Sequence, residues 1–307
     1  MIRRSLATLA FTPRLVWAQS GELTVEELCA GAEHVLRENQ SETGEIGDWL
    51  STIYAAKALS ARGIDLATVI KEGGVSLLDA LLYQAKAFIA TPVPTLISKW
   101  DSDKRSLETT WGSRLMWVLT PQTIGDLGLL GNLVSHSLAV FKELSGIERV
   151  RTNFTIYTLL GLREQAPVYA DWIRLLEGRL NQLGNAQNGW PEKIGGNSEV
   201  DHTAAALMAL SLTRSEFFTR SRNPDGGFGT VYQGESNIDS TSWAAMTGTA
   251  PPSLHYYRTK LQRYGALSHD WYGGKPYCHH CVHEPAQIWS TANALLALTL
   301  SGSTAYS

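Results

Sequence analysis

Two acids occupy matching places before two threonines: Asp201 precedes Thr203 by two residues, and Asp239 precedes Thr241 by two. If both threonines open neighbouring helices, the two carboxylates share one end of the fold. Closely spaced carboxylates resist double ionisation, so one of them keeps a proton near neutral pH and becomes a proton donor. Glu199 and His202 flank Asp201, where His202 is placed to orient or recharge the acid. Trp190, Phe228, Trp243, Trp271, Tyr272 and Trp289 lie in or beside the same segments. Aromatic faces stabilise positive charge without offering a nucleophilic lone pair. Acid and aromatic wall together suit a reaction that passes through a cation in a cavity closed to water. The same residues also have structural uses, because an acid at a helix start caps it and a Trp in a Gly-Trp turn packs.

A second cluster, Cys278-His279-His280-Cys281-Val282-His283, offers soft ligands. Cys278, Cys281 and His283 have the spacing of a zinc half-site, but structural zinc usually takes two separated ligand pairs and the second is absent. The preferred reading assigns no cofactor. It makes this segment part of a lid, because the connection between Gly274 and Thr291 is longer than its neighbours.

The elements that must position these groups show as a repeat. Thr52, Thr110, Thr152, Thr203, Thr241 and Thr291 each open a weakly charged run of small and apolar residues, in steps of 58, 42, 51, 38 and 50 residues. Each step has room for one inner helix, one outer helix and two connections, and that period predicts a ring of helical hairpins. The threonine hydroxyl is expected to accept from an unpaired N–H of the first helical turn. Residues 24–39, 75–90 and 166–183 carry more charge and read as outer helices, the first with a capping box from Thr24 and Glu27. Asn188-Gly-Trp190, Asp225-Gly-Gly-Phe-Gly229 and Gly273-Gly274 mark tight turns before the later inner helices.

The expected fold is therefore all-α, an (α/α)6 toroid over residues 21–307 preceded by an N-terminal arm over 1–20. Pro13 and Arg14 interrupt the apolar run after Arg3-Arg4, which favours an arm over a signal peptide. At 307 residues, one closed ring uses the whole chain. Hydrophobic residues at 44% allow a large core, and ten tryptophans exceed core filling and point to an aromatic cavity. A net charge of −3 without a basic run argues against nucleic acid. Three cysteines cannot frame a disulfide-stapled fold, so a reducing, cytoplasmic setting is expected. No segment reaches the roughly 18 apolar residues of a membrane span.

The glycine-aromatic turns and threonine-led helices resemble the prenyltransferase and squalene-oxidase-type repeats of terpenoid cyclases and protein prenyltransferase β subunits. Within that resemblance Glu199-Val-Asp201-His202-Thr203-Ala204 is similar to the Asp-x-Asp-Asp-Thr-Ala motif of class II, protonation-initiated terpene cyclases. The resemblance implies that Asp201 is the acid that protonates an alkene or epoxide. Glu199 and His202 replace the flanking aspartates. It further implies a hydrophobic isoprenoid-type substrate; the residues beside Asp201 expected to bind it are Glu199, Trp190, Phe228, Trp243, Trp289 and Tyr272, and Asp239, from its matching place, is expected as a second catalytic carboxylate. Those cyclases usually pair two helical domains, so contact with a second subunit or a membrane surface is an added expectation. A zinc-dependent prenyltransferase is one alternative, although of its usual metal ligands only an aspartate, Asp239, is retained. A non-catalytic toroid that binds an apolar or prenylated partner is the other.

Overall fold

The computed structural model describes residues 24–102, 110–145, 152–165, 168–185, 188–192, 195–213, 216–249, 254–258 and 284–302. The expected N-terminal arm lies outside them. The helices are α1 (Val25–Glu38), α2 (Trp49–Ala61), α3 (Leu77–Ala90), α4 (Val93–Ser102), α5 (Trp111–Val118), α6 (Leu127–Ser145) and α7 (Thr152–Glu164). They continue with α8 (Ala170–Leu183), α9 (Val200–Leu210), α10 (Glu216–Ser221), α11 (Ile238–Met246) and α12 (Glu284–Gly302). Among the described residues β pairing is confined to isolated bridges in the connections, so the chain is all-α.

Six helices pack in cyclic succession: α2 on α5, α5 on α7, α7 on α9, α9 on α11, α11 on α12, and α12 back on α2. A helix flanked on both sides and backed by another has no face left for charge, and these sequences comply. In α7 every residue from Phe154 to Leu162 is buried, and in α11 every residue from Ser240 to Met246. Small residues permit the close approach: a Cβ added to Gly161 of α7 would lie 2.7 Å from Met116 Cβ of α5. The remaining long helices bury one stripe and lean on this set, α1 on α12, α3 on α5 and α6, and α8 on α7 and α9. In α8 only Leu176 and Leu180 are buried. The box expected at α1 is present, with Glu27 N–H donating to Thr24 Oγ1 at 3.2 Å and Thr24 N–H to Glu27 Oε2 at 2.8 Å.

The threonines sit close to where the repeat places them but work differently. Thr52, Thr203 and Thr241 are each the fourth residue of their helix, Thr110 precedes α5, and Thr152 opens α7. Thr291 is the eighth residue of α12, because Glu284–Ser290 continue that helix upstream. None of Thr52, Thr203 and Thr241 caps its own helix. Their hydroxyls accept from the preceding connection, Ile46 N–H at 2.9 Å, Trp190 N–H at 3.0 Å and Phe228 N–H at 2.9 Å. Caps come from Asp48 in α2 and Asn237 in α11. A fourth-residue hydroxyl faces sideways, not along the axis, so it holds the turn that crosses the helix start. Gly189 makes room for this clasp, since a Cβ there would stand 2.7 Å from Thr203 Oγ1, while Asn188 supplies the positive φ of 61°.

Thr203→Val removes a hydrogen-bond acceptor of the Trp190 N–H in a buried setting, where the residue is 2% exposed. The expected loss is about 1–3 kcal/mol of stability in urea unfolding. An unchanged midpoint would show that the clasp contributes nothing.

Candidate functional site

Asp201 lies in the first turn of α9 and Asp239 in the first turn of α11, and these helices are neighbours. Neither acid caps. The residue before α9 is Glu199, whose side chain makes no cap bond, and the cap of α11 is Asn237. Asp201 instead meets the Ser240 hydroxyl of α11, and its Oδ1 has no hydrogen-bond partner. Asp239 Oδ1 accepts from Asn293 Nδ2 of α12 at 2.6 Å. The pair thus spans three successive helices.

Both carboxyls resist ionisation. Burial pushes Asp201 up to about 6; Glu199 adds to the rise, and the Ser240 hydroxyl and His202 oppose it. Burial pushes Asp239 up to about 7, reinforced by the Asp201 charge and opposed by the Asn293 bond. Each side chain nevertheless keeps some accessible surface. His202 Nδ1 stands 2.7 Å from Glu199 Oε2, but the angle is poor for a hydrogen bond and both ring nitrogens are otherwise without partners.

On the helix faces below the acids, five rings from five helices meet. Tyr54 of α2 is 5.4 Å from Trp289 of α12, 5.8 Å from Trp117 of α5, 6.2 Å from Trp243 of α11 and 6.4 Å from Tyr157 of α7, centroid to centroid. Trp117 stacks on Trp243 at 6.3 Å although α5 and α11 stand three places apart in the succession. The Tyr54 and Tyr157 hydroxyls are hydrogen-bonded to each other. These contacts fill the middle of the helix set with an aromatic plug. Burial raises both phenols above their ordinary range, so they remain neutral.

The structure therefore brings Glu199, Asp201, His202, Asp239, Trp243 and Trp289 to one region. Trp190 and Phe228 go elsewhere. Trp190 is buried in the connection before α9 with its indole N–H donating to Leu180 O at 2.7 Å. Phe228 packs edge-on against Phe218 at 5.9 Å. Both fill gaps between hairpins, which is the packing use of such turns. Tyr272, Trp271, Cys278, Cys281 and His283 lie outside the described residues. Among the described residues no three acid, His or Cys side chains are grouped as metal ligands. Described residues bound one cavity of about 300 Å³, lined by Ser198, Phe217, Arg220, Ser221 and Tyr232, and another between α6 and α8. Neither reaches the carboxyl pair. Among the described residues no helix is long and apolar enough to cross a membrane.

Five site members escaped the sequence reading: Asn293, Tyr54, Trp117, Tyr157 and Arg114, whose guanidinium lies over the Tyr157 ring. For Asn293 and Arg114 the signal was a polar residue inside an apolar helical run, as in Thr-Ala-Asn293-Ala-Leu and Gly-Ser-Arg114-Leu-Met. Fold and site together describe an all-α chain with a protonatable carboxyl pair above an aromatic plug. Comparison with protein-family models and with curated proteins finds no match.

Proposed function

We propose that the cyclic helix succession is an (α/α)6 toroid and that the chain is a protonation-initiated cyclase or isomerase of a hydrophobic isoprenoid-type substrate. The observation that carries this reading is the unpartnered Oδ1 of Asp201 beside a second, desolvated carboxyl on the next helix. An acid that protonates an alkene must present its proton without a competing acceptor, and the pair, raised to about 6 at Asp201 and about 7 at Asp239, retains one shared proton as the pH approaches neutral. Asp239, tied to Asn293, then serves as the neighbour that keeps the shared proton in place. His202, with Glu199 at its Nδ1, is placed to return a proton after turnover. Trp289, which is only partly buried, meets the cation, with Trp243 packed inside the plug. Asp201 donates its proton to the terminal alkene carbon, the cation is relayed along the chain by ring closure, and loss of a proton to a base ends the sequence. The reaction is an isomerisation and needs no external electron source.

The plug supports one rival reading, since rings that fill the centre also make a binding floor for an apolar or prenylated partner without any reaction. Incubation with a panel of linear prenyl alcohols, prenyl acids and an epoxide, without added metal, separates the two. Conversion of at least one member to a cyclic isomer is expected; tight binding of the panel with every member recovered unchanged would favour the binding module.

A further inference from the structure

The groove between α6 and α8 is built from parts that the fold itself does not use. Although α8 buries only Leu176 and Leu180, it carries a second stripe, Trp172, Leu175, Arg179 and Gln182, at the three- and four-residue spacing of one helix face. That stripe faces Phe141 and Lys142 of α6 across a groove of about 650 Å³. Leu175 is 59% exposed and Trp172 half-buried, so apolar surface lies open along it.

Gly178 is the first sign of a ligand. Glycine inside a helix is unfavourable relative to alanine, and it is kept where something must come close. Gly112 and Gly161 have that reason within the protein, since an added Cβ would collide with Ser137 Oγ at the first and stand 2.7 Å from Met116 Cβ at the second. At Gly178, which lines the groove, an added Cβ would meet nothing within 4 Å. Gly131 of α6 is open in the same way but lies outside the groove.

Charge is the second sign. Lys142, Arg174 and Arg179 line the groove, and no acid does. Glu177 is turned to Arg163 of α7 at 2.5 Å, and Asp171 pairs with Arg174 only at the exposed rim, where such pairs hold weakly. The Arg179 guanidinium lies 5.6 Å from the centre of the Phe141 ring, and burial lowers its pKa from the ordinary arginine value. Among the described residues no carboxylate pairs with it. A second copy of the chain docked about a two-fold axis would set the same three cations against themselves. A bilayer surface is flat, whereas these cations line a recess.

We propose that this groove is a binding site for a small organic anion with a flat aromatic body. Its carboxylate or phosphate pairs with Arg179, with Arg174 and Lys142 beside it, and its rings lie on Trp172 and Leu175 against the bare backbone at Gly178. A volume of about 650 Å³ suits a small molecule. The site is independent of the carboxyl pair, since neither α9 nor α11 lines it.

Titration calorimetry with naphthoate, naphthyl phosphate, naphthol and inorganic phosphate tests it. At least one aromatic anion is expected to bind at least about tenfold more tightly than naphthol, which lacks the charge, and than inorganic phosphate, which lacks the rings. The naphthoate and naphthyl phosphate arms identify the anion. R179M should remove the preference over naphthol, R179K should keep part of it, and G178L, whose side chain fills the groove, should weaken anion and naphthol alike. Equal affinity for anions and naphthol, a preference that survives in R179M, or wild-type binding in G178L would each overturn the inference. So would capture by phosphatidylglycerol vesicles, or self-association lost in G178L, in a protein that binds none of the soluble anions; those outcomes would give the groove to a membrane or to a second copy. If R179M fails to fold, the wild-type comparison and G178L still decide it.

Discussion

Asp201→Asn should lower turnover of any converted prenyl substrate by roughly 10²–10⁴-fold, the range in which positioned acids act. The change keeps the side chain's shape and the bond to Ser240 while removing the only proton that an unpartnered oxygen can offer. Folding should be unaffected or improved, because a desolvated carboxyl becomes a neutral amide. Thermal unfolding and circular dichroism must therefore accompany the assay. In the wild type, activity should fall as pH rises through the range from about 6 to about 7, where the carboxyl pair loses its shared proton. Full activity in the variant, or a rate that climbs steadily across that range, would remove Asp201 from the mechanism.

The second large effect is on stability. Asp239 holds its proton up to about 7 when folded, against an ordinary carboxyl value of about 3.9 when unfolded. Between those values the folded chain binds more protons than the unfolded chain, so its stability declines as pH rises and the loss is complete above about 7. The linkage amounts to at most about 4 kcal/mol. Asp239→Asn removes it and leaves a carbonyl to accept from Asn293. The variant should match the wild type near pH 4 and exceed it at pH 8 by roughly 1–4 kcal/mol in urea unfolding. Asp201, Glu199 and His202 share the neighbourhood, and the difference between the two proteins isolates Asp239 from them. A variant less stable than the wild type at pH 8 would mean that Asp239 is ionised and well solvated in the fold.

Helical class and the burial of the threonine-led helices were legible because they follow from periodicity: a weakly charged run of some ten residues after a threonine has no choice but burial. The carboxyl pair was legible for the same reason, since Asp201 and Asp239 share one place in the register. Thr291 departed from the pattern because nothing before it stops a helix, and α12 begins seven residues earlier. The role of the hydroxyls was misjudged because capping is a local rule, whereas Trp190 and Phe228 are each 13 residues upstream of the threonine that holds them. The plug was illegible in detail: Tyr54 and Trp243 share one offset from their threonines, but Trp117, Tyr157 and Trp289 each stand at another. Only the relative sliding of the helices brings them level. Asn293 shows the same slide, meeting Asp239 although it follows its threonine by two residues and Asp239 precedes its own by two.

The return of α12 to α2 has a consequence for assembly of the chain. Tyr54 and Trp289 touch across a sequence gap of 235 residues (289 − 54), so the loop they close is among the longest the chain contains. Contacts of that span cost the most chain entropy and come late in folding. On a ribosome, α2, α5, α7, α9 and α11 emerge before their closing neighbour and leave the flanks of α2 and α11 bare, along with the face of α1 that α12 covers. Arrival of residues 284–302 is thus a keystone event. Until then the nascent chain presents an open apolar arc to whatever chaperone or neighbouring chain it meets first.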